Sequence, residues 1–389
     1  MRSLLLTIGI LCACIHVYSQ KDTIAARKVI EKMCSKEFAG RGYVKKGIDK
    51  AAAYLNNTYK DHLLKPLNKH SFSQFFITPV NTFQGKMKVV ADGKVLIPGV
   101  HYIVSPESKG ISGGFMLFKA DSVTYKASDL KREVPLVVRK QKKLTWSVST
   151  EEAAYTVIEI LKDSFPGDIK YLDVEIENTF VPKYKLQNVC GYIKGSVKPD
   201  SFIVFTAHYD HLGMMGKEAV FPGANDNASG ISMLLSLMDY YSANKPAYSV
   251  AFIAFAGEEA GLLGSKYYVD NPLFPLNKIK FLVNMDLMGT GDEGITVVNA
   301  TEFKTDFEQL KKLNEEQKLL TLVKPRGRAA NSDHYWFTEK GVPAFFIYTM
   351  GGIKAYHDVY DIAATLPLTR FEELKKLLLG FSNWKMGQK

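Results

Sequence analysis

An α/β layered domain with an inserted β-rich subdomain is the architecture this 389-residue sequence predicts. Three observations carry that prediction. From Lys185 onward, short apolar strands alternate with helical stretches, the texture of a sheet covered by helices. Between about residues 81 and 177 the pattern changes to brief β-rich runs punctuated by Gly, Pro and Asp. The chain also exceeds one average domain, with 46% hydrophobic and 23% charged residues, the balance of an ordinary soluble globular protein.

The N-terminus reads Met-Arg followed by an apolar run from Leu4 to Val17, the length of a signal-peptide h-region and too short to cross a bilayer. Residues 1–19 therefore read as an export signal, cut after the small Ser19 and before Gln20. Leu11-Cys12-Ala13-Cys14 offers lipidation at Cys14 as the alternative. Either route gives a periplasmic or extracellular protein, and no later stretch is long and apolar enough to span a membrane. After signal removal only Cys34 and Cys190 remain, which is no disulfide framework and no cysteine zinc site; two small buried thiols are expected. The formal net charge of +10 falls by one, to +9, with the loss of Arg2. Lysines are scattered, with only short clusters such as Lys140-Gln141-Lys142-Lys143, so a solvated basic surface is expected and nucleic-acid binding is not.

Residues 20–80 form the N-terminal helical part of the main domain, with helix-like apolar spacing from Thr23 to Tyr59 broken by Gly40-Arg41-Gly42. Residues 81–184 form the insertion, with strands expected near Lys86–Val90, Gly114–Phe118 and Val134–Val138. Residues 185–389 form the layered core. Ser201 to Ala207 reads as a strand ending at His208, and Ala228 to Tyr241 as a helix opened by Asn227 as cap. Ser249 to Phe255 runs as a strand into Gly257-Glu258-Glu259, a short helix follows from Leu262 to Val269, and Ile279 to Met285 is a third strand ending at Asp286. A helix over Ser332–Lys340, a strand over Ala344–Tyr348, His357 in the next loop and an amphipathic helix over Arg370–Trp384 complete the chain. Ligands in α/β sheets bind beyond the carboxyl ends of strands, where these polar residues gather.

Each of those residues has a plain reading beside a chemical one. His208 can ligate a metal, with Asp210 taking its second ring N–H, or lie in a surface loop. Asp226, in the small-residue loop Gly223–Gly230, can lend one oxygen to each of two cations or cap a helix. Glu258 and Glu259 follow a buried strand, an expensive place for two negative charges without cations nearby; one reads as metal ligand (Glu259) and its neighbour as general base (Glu258), against two solvated turn residues. Asp286 repeats the pattern. His357, with Asp361 available as its partner, is the fifth donor or an incidental histidine. Two histidines and three carboxylates suffice for two zinc ions sharing Asp226, with positions left open for water and substrate.

The segments HYDHLG, GANDNASG, AGEEAGLLGS, NMDLMG, NSDHYWF and YHDVYD together resemble the ordered motif set of peptidase family twenty-eight, the co-catalytic di-zinc aminopeptidases. The resemblance spans Asn188 to Asp361, with a weaker match at Phe38-Ala39-Gly40-Arg41-Gly42. It implies a three-layer zinc-exopeptidase (phosphorylase/hydrolase-like) fold, a central mixed sheet flanked by helices. It also implies that His208 and Asp286 hold one Zn2+, Glu259 and His357 the other, with Asp226 bridging, Glu258 as base and Asp210 beside the ligands. The expected reaction is hydrolysis of N-terminal residues from peptide substrates. The insertion resembles a protease-associated domain loosely. Rival readings are a single-zinc glutaminyl cyclase and a non-catalytic receptor on the same fold, and retention of all five ligands argues against both. Phe345, Tyr348, Met350 and Tyr356 are candidates for an apolar specificity pocket or for ordinary packing.

Overall fold

The computed structural model describes residues 22–128 and 133–388. The expected export signal, with Cys12, Cys14 and the Ser19 to Gln20 junction, lies outside the described residues. Among the described residues no helix is long and apolar enough to cross a membrane.

The main sheet is mixed. Its order runs Lys65–Pro66, Thr179–Ile193, Tyr248–Phe255, Lys198–His208, Ile279–Met285, Ala344–Met350, Gly294–Val298, Val323–Pro325, with Ser73–Thr82 also on Thr179–Ile193. The four central strands are parallel, and their outer neighbours Thr179–Ile193 and Gly294–Val298 join antiparallel. Parallel strands buried on both faces need apolar side chains at every position, and these supply them. Ile203, Phe205, Ala207, Phe252, Phe281 and Phe345 turn to one face, under α2 (Gly47–Asp61), α3 (Gly230–Ala243), α5 (Lys304–Gln317) and α7 (Phe371–Lys385). The alternate residues Phe202, Val204, Ile253, Phe255 and Leu282 turn to the other, under α4 (Leu263–Asp270) and α6 (His334–Glu339). The result is three layers. The remaining helix, α1, covers 22–33 and is followed by a 3-10 turn at Lys36–Arg41.

A second sheet lies between Met87 and Ile176, in the order Lys94–Leu96, Met87–Ala91, Tyr171–Ile176, Ile111–Lys119, Thr124–Ser128, Glu133–Gln141, Thr156–Leu161, Tyr102–Val104. It has its own core around Tyr102, Leu136, Val138, Ile158 and Leu172, which extends through Trp146 to Leu212 and Phe221 of the main domain. The positions 81 and 184 both fall inside one antiparallel ribbon, Ser73–Thr82 with Thr179–Ile193, that leaves the main sheet and returns to it. Cys34 and Cys190 are free thiols, the second fully buried.

Candidate metal centre

Three adjacent parallel strands end at the same edge of the sheet, and each hands its charged residue to one cleft. His208 closes its strand, Asp286 follows Met285, and Phe255 leads through Gly257, a turn at φ 71°, to Glu258 and Glu259. Asp226 arrives from the irregular turn Ala224–Ser229. That turn starts at Gly223, where φ is 61° and any Cβ would lie 2.1 Å from the Asp226 carbonyl, so only glycine fits. His357 comes from the loop after Ala344–Met350.

The side chains converge in two groups on either side of Asp226. His208 Nε2 stands 3.4 Å from Asp226 Oδ1 and 3.4 Å from Asp286 Oδ2. His357 Nε2 stands 3.1 Å from Asp226 Oδ2 and 3.2 Å from Glu259 Oε2. Donors around a tetrahedral zinc with bonds of about 2.0–2.1 Å lie about 3.4 Å apart, so both groups have the spacing of a cation's coordination shell. His208 Nε2 and Asp286 Oδ1 are buried and make no hydrogen bond, an arrangement that disfavours folding unless another ligand engages them. All five residues proposed as ligands from sequence are thus brought together.

The charge balance points the same way. Burial alone raises a carboxyl, yet the His208, His357 and His211 imidazoles outweigh it and hold Asp226 well below the usual carboxylate range. Burial lowers an imidazole, yet Glu259 and Asp226 outweigh it and hold His357 at about 11. Protonated imidazoles are thus the cations that answer the clustered carboxylates, a role that bound metal would take from them. Glu258 is pushed well above the usual range by burial, opposed by His208 and reinforced by Glu259, Asp333 and Asp286.

The supporting contacts differ from the sequence expectation in two places. His208 Nδ1 meets the main-chain carbonyl of Asp210 at 3.2 Å, while the nearer Asp210 carboxylate oxygen is 3.8 Å away. That carboxylate instead accepts the N–H groups of Glu258 and Glu259, at 3.2 and 3.3 Å, and so sets the turn bearing both glutamates. Asp361 does not partner His357; it accepts from the N–H groups of Asn225 and Asp226 and holds the Asp226 loop. His357 Nδ1 lies 2.9 Å from the carbonyl of Trp146, and Trp146 N–H donates back to the His357 carbonyl at 2.9 Å. The insertion therefore clamps one donor directly. Trp146 is itself anchored by Nε1 donating to Val104 O and by a tilted ring contact with Phe221, centroids 4.6 Å apart.

Six residues escaped the sequence reading. His211, in HYDHLG, contacts Glu259 Oε1 through Nδ1 at 2.7 Å, and its proximity to a second histidine in the same motif was the available signal. Ser332 donates to Asp286 Oδ2 and receives from Asn284, which Thr206 also donates to, forming a buried chain behind Asp286. Arg41 is fully buried and donates to five main-chain carbonyls, those of Met33, Tyr209, Pro222, Gly223 and Asp226. Arg326 lies on the cleft wall.

The cleft has a volume of about 320 Å³ and is lined by Asp226, Glu258, Glu259, Asp286 and His357 on the polar side, with Leu287, Arg326, Asn331, Phe346, Tyr348 and Tyr356. Of the four pocket candidates, Tyr348 and Tyr356 line it. Phe345 does not: strand alternation turns it into the core against Phe281 and Phe381, and Phe346 faces the cleft instead. Met350 does not line it either, its sulfur accepting a hydrogen bond from Thr296.

A family model for peptidase family M28 matches residues 188–382. Aminopeptidase YwaD from Bacillus subtilis is 27% identical over 203 residues, 51% of this chain and 43% of that protein. A probable zinc metalloprotease from Pyricularia oryzae is 36% identical over 114 residues, 28% of this chain and 23% of the other. These matches span less than half of either relative's length. Among solved structures, a zinc aminopeptidase from Bacillus subtilis superposes with TM-score 0.67 at 18% identity, over 92% of this chain and 94% of that one. A peptidase M28 precursor from Shewanella amazonensis gives 0.68 at 15% identity, over 96% and 97%. At such identities the likeness establishes the fold, a mixed sheet between helical layers with its second sheet included in the superposed length.

Proposed function

The chain belongs to peptidase family M28, and from that premise we propose that it is an exported, zinc-dependent aminopeptidase that hydrolyses N-terminal residues from peptides. One observation carries the reading: Asp226 offers Oδ1 to a group containing His208 and Asp286, and Oδ2 to a group containing His357 and Glu259, at donor spacings suited to zinc. His208 and Asp286 would hold one ion, His357 and Glu259 the other, and Asp226 would bridge. Bound there, two zinc ions would polarise the scissile carbonyl and make water a stronger acid.

The protein's own groups have separable tasks. Glu258 lines the cleft but makes none of the four short contacts that define the two donor groups. A carboxylate whose affinity for a proton has been raised by burial is suited to accept one from the attacking water and return it to the leaving amine. Asp210 orients Glu258 and Glu259 through their N–H groups, and His211 fixes one oxygen of Glu259 so that the other faces His357. Ser332, itself held by Asn284, donates to Asp286 Oδ2, the oxygen that faces His208.

The test is metal analysis combined with turnover of leucyl-4-nitroanilide before and after chelation. Two zinc ions per chain and activity that is lost on chelation and regained with zinc are expected. One zinc with cyclisation of N-terminal glutamine, or folded protein with neither metal nor turnover, overturns the proposal. Export rests on the Leu4 to Val17 run, and N-terminal sequencing of the mature protein checks it, with Gln20 or a lipidated Cys14 as the expected first residue.

A further inference from the structure

We propose that Arg326 forms a subsite for a substrate carboxylate, which gives this enzyme a preference for peptides carrying a negative charge at the position that enters the cleft. The inference rests on the aminopeptidase reading and adds its substrate class. Arg326 is the single Lys or Arg among the residues lining the cleft that holds Asp226, Glu258, Glu259, Asp286 and His357. It follows the short strand Val323–Pro325, and its main chain is tied down on both sides, N–H to Val297 O at 2.9 Å and carbonyl from Ala300 N–H at 3.1 Å. The side chain is thus carried on a fixed base.

A guanidinium beside four carboxylates would be unremarkable if it paired with one of them. It does not: its one side-chain partner among the described residues is the hydroxyl of Tyr348, 3.1 Å from Nη1. Arg328, two residues on, shows the ordinary alternative, being ion-paired to Glu339 outside the cleft. Arg326 therefore retains most of its N–H donors for something that enters the cleft. A planar guanidinium presents paired donors that match a carboxylate in bidentate fashion. Asn331 adds a second polar group to the cleft lining, and Leu287 and Phe346 supply apolar surface for a hydrocarbon stem. With two zinc ions balancing the four carboxylates, Arg326 would decide the sign of the charge that this wall attracts.

Two sources can present such a group: the side chain of an N-terminal Glu or Asp, and the terminal carboxylate of a dipeptide. Two matched pairs separate them. Glutamyl- and glutaminyl-4-nitroanilide differ only in the side-chain charge, and Leu-Gly and Leu-Gly amide only in the terminal one. The expected result is a preference of about tenfold or more in kcat/KM for the charged member of one pair. That preference should collapse in Arg326→Gln and survive in part in Arg326→Lys, while zinc content stays close to the parent. Arg326 is exposed, so neither change threatens folding. Calorimetric binding of glutamate against glutamine, and of the two dipeptides, reads the same subsite where turnover fails and so separates this proposal from the activity it rests on. No charge preference in either pair by rate or by binding, or a preference untouched by Arg326→Gln, overturns it.

Discussion

Arg41 offers the sharpest test of how the metal loops are held. Its guanidinium sits at no measurable exposure and bonds carbonyls from three segments: Met33 at the end of α1, Tyr209 after the His208 strand, and Pro222, Gly223 and Asp226 around the Asp226 loop. Three of these bonds are short, 2.8 Å to Tyr209, 2.6 Å to Pro222 and 2.7 Å to Gly223. Arg41→Lys keeps the charge but concentrates its donors at one atom, which cannot span acceptors on separate segments. If the ammonium retains one of the three short bonds, two buried carbonyls lose their charged donor at about 1–2 kcal/mol each, for a loss of about 2–4 kcal/mol. The Gly223 carbonyl keeps a second donor in Ala228 N–H, which favours the lower half of that range. Urea denaturation of chelator-treated protein, followed by tryptophan fluorescence, measures this without metal. The same variant should bind zinc more weakly, because the loops bearing His208 and Asp226 lose their common anchor. An unchanged urea midpoint with unchanged zinc affinity would refute the reasoning.

Further outcomes follow from the site and its surroundings. Glu258→Gln should retain the parent's zinc content by metal analysis while kcat falls about 10²–10⁴-fold, the usual contribution of a general base; loss of metal in this variant would make Glu258 a ligand instead. Asp226→Asn should weaken zinc binding by more than the 10–100-fold typical of a residue that merely supports a ligand, because the two proposed ions would share this carboxylate; competition with a fluorescent chelator gives the affinity, and one tightly held ion would argue against bridging. His334 is fully buried, and burial lowers its imidazole from 6.5 to about 4. The unfolded chain binds more protons between those values, so this contribution is complete above about pH 6.5 and is lost as pH falls toward 4, to a limit of about 3 kcal/mol. His334→Leu should flatten that part of the stability profile, and denaturation at several pH values that shows the same slope in both proteins would contradict it.

Much of the donor set was legible because its signal is local. A run such as Ile279–Met285 is apolar at nearly every position, as a strand covered on both faces must be, so the Asp286 that ends it stands out. The same contrast picks out His208 after Ser201–Ala207 and Glu258-Glu259 after Ser249–Phe255. The supporting contacts carry no such mark. Asp361 reaches Asn225 across 136 residues, and Trp146 reaches His357 across 211. Those partners share no periodicity or spacing with what they hold.

Strand parity marks the same limit at the pocket. Ala344–Met350 reads as a strand from its residues, but which of Phe345 and Phe346 faces the cleft depends on the register against Ile279–Met285, where Phe345 opposes Val283. Composition and the order of charged residues by themselves determined the layered class, the strand ends and the five candidate donors, because burial preference and charge cost act on each residue where it stands. Only tertiary structure decided which oxygen of Asp226 faces which histidine, that Asp210 serves the glutamates, that the insertion holds His357, and that Arg326 meets the Tyr348 hydroxyl in the cleft. Those are matters of distance between segments that the chain connects only through its fold.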